Sequence, residues 1–69
     1  MGFFQEQEER LAARYLVWQY QRSSHPVPPA PELKRQAAII VEDAHRIARK
    51  TGRNVLSIMK ELVANLKKE

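Results

Sequence analysis

The stretch from residue 33 to residue 66 constrains this chain most: two amphipathic segments that meet at Gly52. In the first segment the apolar residues are Leu33, Ala37, Ile40, Val41, Ala44, Ile47 and Ala48. That spacing puts them all on one face of a 3.6-residue period, and strand alternation does not fit it. In the second segment Val55, Met59, Leu62 and Leu66 form the stripe, widened by Leu56, Ile58 and Val63. Gly52 stands where the first stripe stops. Glycine accepts the left-handed conformation that a helix C-cap needs, with no Cβ in the way. Asn54 then offers a side-chain oxygen to the first free amides of the next helix. The pattern predicts a helix over 32–50, a short turn and a helix over 55–67, with the two stripes facing each other in an antiparallel hairpin.

Upstream, residues 4–22 read as another helix. Phe4, Leu11, Tyr15 and Trp18 share one face, Ala12 and Leu16 extend it, and Tyr20 lies further round. An arc this wide suits a helix that touches two neighbours. Aromatic residues at helical spacing are expected in the core, with a hydroxyl or an indole N–H reaching its rim. Glu6 and Arg10, and Glu42 and Arg46, stand in the favourable i, i+4 order. Between the helices, residues 23–31 read SSHPVPPAP. Four prolines make this a stiff, extended hinge, and Pro31 also suits the first turn of the next helix, with Glu32 at its positive dipole end. The two P-x-x-P matches it contains fit a hinge better than a ligand for another domain's groove, because packed helices flank them closely.

The fold class is therefore all-α: a three-helix bundle, one small domain over 1–69. A chain of 69 residues buries only about 60% of the surface its unfolded form exposes, so its core is marginal. It has no cysteine, hence no disulfide or zinc-thiolate site to supplement that core. Completion by dimerisation is the remaining supplement. No apolar run approaches the length of a membrane span. The acidic start, MGFFQEQEE, lacks the basic opening of a signal peptide, and Glu6 stands where a myristoylation motif after Gly2 wants Ser or Thr. The expectation is a cytoplasmic protein that does not enter membranes.

Chemistry-bearing residues are sparse. Glu42 and His45 have the Glu-x-x-His spacing that di-iron bundles use. At about 100° per residue His45 falls on the flank of the stripe and Glu42 on its solvent side, which predicts a surface hydrogen-bonding pair and no metal site. Ser23, Ser24 and Ser57 show no acid–base arrangement that would make a nucleophile, and two glycines cannot build a phosphate-binding loop. No enzymatic activity and no cofactor are expected.

The net charge of +4 is uneven: Glu6, Glu8 and Glu9 open the chain, whereas Arg46, Arg49, Lys50, Arg53, Lys60, Lys67 and Lys68 crowd its second half. Cations near helix C-termini complement the helix dipole, and a basic half can also meet phosphate. Residues 47–62, IARKTGRNVLSIMKEL, resemble the helix-turn-helix element of bacterial repressors through Ile47, Ala48, Thr51, Gly52, Asn54, Ser57, Ile58, Lys60 and Leu62. The resemblance implies that residues 55–66 form a recognition helix, with Arg53, Asn54, Ser57 and Lys60 facing DNA. The outer face of that helix, however, carries Ser57, Lys60, Glu61, Ala64 and Lys68, with no arginine or glutamine to read a base edge in bidentate fashion. The first functional reading is accordingly protein–protein interaction, with a second copy or another protein, through Val17, Trp18, Tyr20 and Ile39. DNA binding is the alternative.

Overall fold

A computed structural model describes residues 2 to 66, and the side chains of residues 6 to 65. Three helices account for most of them: α1 (Gly2–Arg22), α2 (Ala30–Thr51) and α3 (Val55–Leu66). Among the described residues there is no strand. The expected stripe residue Leu66, the aromatic Phe4 and the cations Lys67 and Lys68 lie outside the described side chains.

α2 follows its sequence pattern closely. Ala37, Ile40, Val41 and Ala44 are buried, and Leu33, Ile47 and Ala48 pack against them. The helix starts at Ala30, ahead of the residue 32 expected. The Leu33 amide donates to the Pro29 carbonyl at 2.9 Å and closes the first turn around Pro31. A proline in that turn forfeits nothing, because its missing N–H would have had no partner there. At the other end Gly52 is left-handed (φ 74°, ψ 10°), and its amide donates to the Ala48 carbonyl at 2.8 Å. Thr51 adds a second closure: its hydroxyl donates to the Ile47 carbonyl at 2.9 Å and accepts from the Arg53 amide at 3.2 Å. Asn54 caps α3 as its sequence position implies, its Oδ1 accepting from the Leu56 and Ser57 amides at 2.8 and 3.3 Å.

The buried stripe of α3 is rotated from the expected one. Ile58, Met59 and Val63 are its centre, Val55 and Leu62 its margins, and Leu56 is exposed. Leu56 lies in the first turn of α3, two residues after the Asn54 cap, and stays exposed at the edge nearest the turn.

α1 departs further. Its buried residues are Ala12, Leu16 and Gln19, with Leu11, Ala13, Tyr15 and Tyr20 partly buried against the core. Trp18, expected in the core, is exposed instead. Its end is a Schellman motif: the Ser24 amide donates to the Gln21 carbonyl at 3.2 Å and the His25 amide to the Tyr20 carbonyl at 2.9 Å. Ser24 holds the left-handed position, at φ 62°, where glycine is the usual residue.

Two polar ties join α1 to α2. Near the start of α1, Glu8 Oε1 lies 2.7 Å from His45 Nε2; near its end, the Tyr20 hydroxyl donates to Gln36 Oε1 at 3.0 Å. The helices therefore run in opposite senses. On a wheel of about 100° per residue, Gln36 and His45 fall on opposite flanks of α2's buried stripe, as Glu8 and Tyr20 do on α1's. One helix thus passes diagonally across the other, with Ala12, Ala37 and Ala44 in the core they share. Small side chains at a crossing let the backbones come close. α3 then runs back from the end of α2 and brings Val63 and Ala64 beside Trp18 and Gln19, late in α1. Burying Leu16, Val41, Ile58 and Met59, each at most 1% exposed, contributes roughly 1.5–3 kcal/mol apiece before the cost of ordering the chain.

Candidate interaction surface

The bundle leaves an open groove between α1 and α3. It is lined by Tyr15, Trp18 and Gln19 from α1 and by Lys60, Val63 and Ala64 from α3. The geometry follows from the rotated face of α1. With Ala12 and Leu16 turned fully inward, Tyr15 and Gln19 face α3 at the edge of the core, and Trp18 stands on the rim, 55% exposed. Past Trp18 the surface continues along α1 as a shallower furrow lined by Ala13, Arg14, Val17 and Gln21. Two cations stand on the aromatic rings of this surface. The Arg22 guanidinium lies 5.0 Å from the Trp18 ring centroid, and Lys60 Nζ lies 5.8 Å from that of Tyr15. Contacts at these ranges hold both side chains over the rings by the ring quadrupole.

The four residues expected at a protein interface do not form one patch. Val17 and Trp18 adjoin on α1. Tyr20 faces the other way and its hydroxyl is spent on Gln36, so it works as a tie between helices. Ile39 is 52% exposed on the side of α2 opposite its buried stripe and does not line the groove. Of the residues that complete the groove, Tyr15 was expected on the apolar face of α1, Val63 in the α3 stripe and Ala64 on the outer face of α3, none of them among the four expected interface residues, and Gln19 was not singled out. The signal available for them was the nearly unbroken apolar run from Leu11 to Trp18, which marks α1 as a helix with more apolar surface than one neighbour can cover.

Of the four candidate DNA contacts, three are engaged within the chain. Arg53 is paired with the Glu61 carboxylate, whose hydrogen bond and charge raise the guanidinium pKa further above its ordinary value. Asn54 is the α3 cap, and Lys60 lies over Tyr15. Ser57 is exposed. The remaining polar expectations change partners. His45 meets Glu8 across the helix crossing, not Glu42, because the flank on which it sits is the one α1 covers. Arg46 pairs with Asp43, 2.8 Å away and one turn back, in place of Glu42. Among the described residues no group of three or more His, Cys, Asp or Glu side chains is placed to hold a metal ion. No helix is long and apolar enough to cross a membrane, again among the described residues.

Comparison of the chain with protein-family models, with characterised proteins and with solved structures finds no match.

Proposed function

We propose that this chain is a small non-enzymatic helical module that works by binding a protein surface, whether of a second copy or of a different chain. One observation carries the reading: Trp18, a large aromatic side chain left mostly in water, borders an apolar groove whose walls are the half-buried Tyr15, the exposed Ala64 and, at its base, the buried Val63. A lone exposed apolar residue is ordinary, but a contiguous set beside a concave slot has the make-up of an interface centre. Tryptophan and tyrosine are the side chains that most often dominate binding energy there, because each buries a large area with few rotamers to freeze. The small core supports the same reading, since covering the groove adds apolar burial that 69 residues cannot supply internally.

The alternative is DNA binding through α3. What favours it is the turn itself, a left-handed Gly52 followed by the Asn54 cap, which is the turn the helix-turn-helix resemblance implies. The intramolecular engagement of Arg53 and Lys60 weighs against it.

Two measurements on the full chain separate the readings. Light scattering coupled to size exclusion, run from micromolar concentration upward, is expected to show self-association or a partner complex that Trp18→Glu abolishes with helicity intact. Duplex DNA, followed by anisotropy at about 150 mM salt, is expected to bind weakly and without sequence preference. Sequence-selective binding on the order of 10 nM, lost when Arg53 and Lys60 are both changed to Gln, would replace the interaction reading with the alternative.

A further inference from the structure

Among the described residues, the charged side chains around the α1–α3 groove all have one sign. Lys60 stands over Tyr15, Arg22 over Trp18, and Arg14 lines the furrow beside Val17. The ion pairs of the described residues lie elsewhere and join Glu32 to Arg35, Asp43 to Arg46 and Glu61 to Arg53, while Glu8 is engaged with His45. Among the described residues, Arg14, Arg22 and Lys60 thus border an apolar slot without a carboxylate paired to them. Glu61, the acidic residue next to Lys60 in sequence, is held away by Arg53.

We infer that the groove binds an acidic amphipathic segment of a partner protein, whose large apolar side chains enter the slot while its carboxylates meet Arg14, Arg22 and Lys60. The inference rests on the interaction reading and narrows its partner. Charge complementarity selects the sign: cations flanking an apolar centre attract an acidic partner and repel a basic one. The same argument disfavours a second copy in this groove. A two-fold contact would set Arg14, Arg22 and Lys60 of one copy against the same residues of the other. Nucleic acid would satisfy the cations but not the slot. Its bases stack on open aromatic faces, whereas a cation already covers one face of Tyr15 and of Trp18, and the remaining walls are Val63 and Ala64. An amphipathic helix laid along a hydrophobic groove presents apolar residues at i, i+3, i+4 and i+7, which suits a slot running between two helices.

The chain's single tryptophan is the reporter. The full chain would be titrated with a synthetic, Trp-free peptide of about 16 residues, long enough to populate a helix, with Leu and Phe on one face and Glu and Ala on the other. Expected is a saturable blue shift of Trp18 emission with a Kd on the order of 10 µM at low salt, weakening as salt rises. Trp18→Ala, followed by anisotropy of a labelled peptide, should weaken binding about tenfold, and Arg14→Glu with Lys60→Glu by a similar factor. Ile39→Asp, away from the groove, should leave it unchanged. Circular dichroism confirms that each variant keeps its helices.

Four outcomes would overturn the inference. The first is no saturable shift with the acidic peptide. The second is equal binding of the same peptide with Lys in place of Glu. The third is equal binding of a version with Ser in place of Leu and Phe, and the fourth is tighter binding of a single-stranded oligonucleotide of about 15 nucleotides. If the peptide fails while Trp18-dependent self-association persists in light scattering, the acidic partner is wrong and the interaction reading stands. If both fail, both fall.

Discussion

The second helix, α2, and the first, α1, carry comparable numbers of apolar residues and differ in how those residues are arranged. α2 has a single stripe with polar residues on either side, so one face alone can be buried, and Ala37, Ile40, Val41 and Ala44 are buried on it. α1 is apolar at Leu11, Ala12, Ala13, Tyr15, Leu16, Val17 and Trp18, which circles most of a turn. Periodicity cannot choose a face from such a run. The choice falls to packing: Ala12 is small enough for α2 to cross closely, and Leu16 fills the core behind it, which leaves Trp18 outside. A clean stripe makes a helix legible and leaves it little surface for partners. A blurred one hides the buried face and leaves apolar residue over, and here the surplus forms the groove.

The largest effect breaks the comparison at α1. Leu16 is 0% exposed. Leu16→Ala is expected to cost about 2–5 kcal/mol, as buried leucine truncations do. A domain of this size has a total stability on the order of 5 kcal/mol, so the variant should be largely unfolded at room temperature. Urea denaturation followed by circular dichroism checks it. A midpoint close to that of the unaltered chain would mean that α1 does not bury this face.

The next two predictions compare helix ends. Gly52 and Ser24 occupy the same left-handed position, one closing α2 and the other α1. Nothing lies within 4 Å of a Cβ built on Gly52, so a side chain there meets backbone strain and no clash. Gly52→Val is expected to destabilise by roughly 1–2 kcal/mol, the cost of the left-handed region for an L-residue. Ser24 carries that strain already. Ser24→Gly should therefore stabilise, by about 0.5–1 kcal/mol once glycine's extra unfolded-state entropy is set against the relief. Paired thermal and urea melts read both signs. A stabilising Gly52→Val or a destabilising Ser24→Gly would contradict the cap assignments.

How much of this was legible divides along the same line. Gly52 and Asn54 announce the turn because their side-chain chemistry acts locally, on amides and angles within a few residues. The α2 stripe is legible because its period is unambiguous. Ser24 as a cap was hidden, since serine is a common residue and only the Schellman bonds to Gln21 and Tyr20 reveal the role. The ties of His45 to Glu8 and Tyr20 to Gln36 depend on how α1 crosses α2, and no local pattern records a crossing angle. The groove was hidden for the same reason. Trp18 and Val17 could be nominated one by one as apolar residues, but their neighbours Val63 and Ala64 come from another helix.

The smallest predicted effect is the most informative about the groove. Trp18→Ala removes a large aromatic side chain, and in the core that costs about 3–5 kcal/mol. On the rim the terms are small and opposed. The contact with Arg22, at 5.0 Å, is worth about 0.5–1 kcal/mol at an exposed site. Alanine returns roughly 0.5 kcal/mol of helix propensity, because it loses no side-chain rotamer freedom in α1. The net change in unfolding free energy should stay within about 0.5 kcal/mol, the range of ordinary surface substitutions. Solution emission of the unaltered chain gives an independent check: a half-exposed indole emits near the wavelength of tryptophan in water. A melt lowered by several kcal/mol, together with blue-shifted emission of the dilute free chain, would put Trp18 back in the core. It would also remove the surplus apolar surface on which the interaction reading depends.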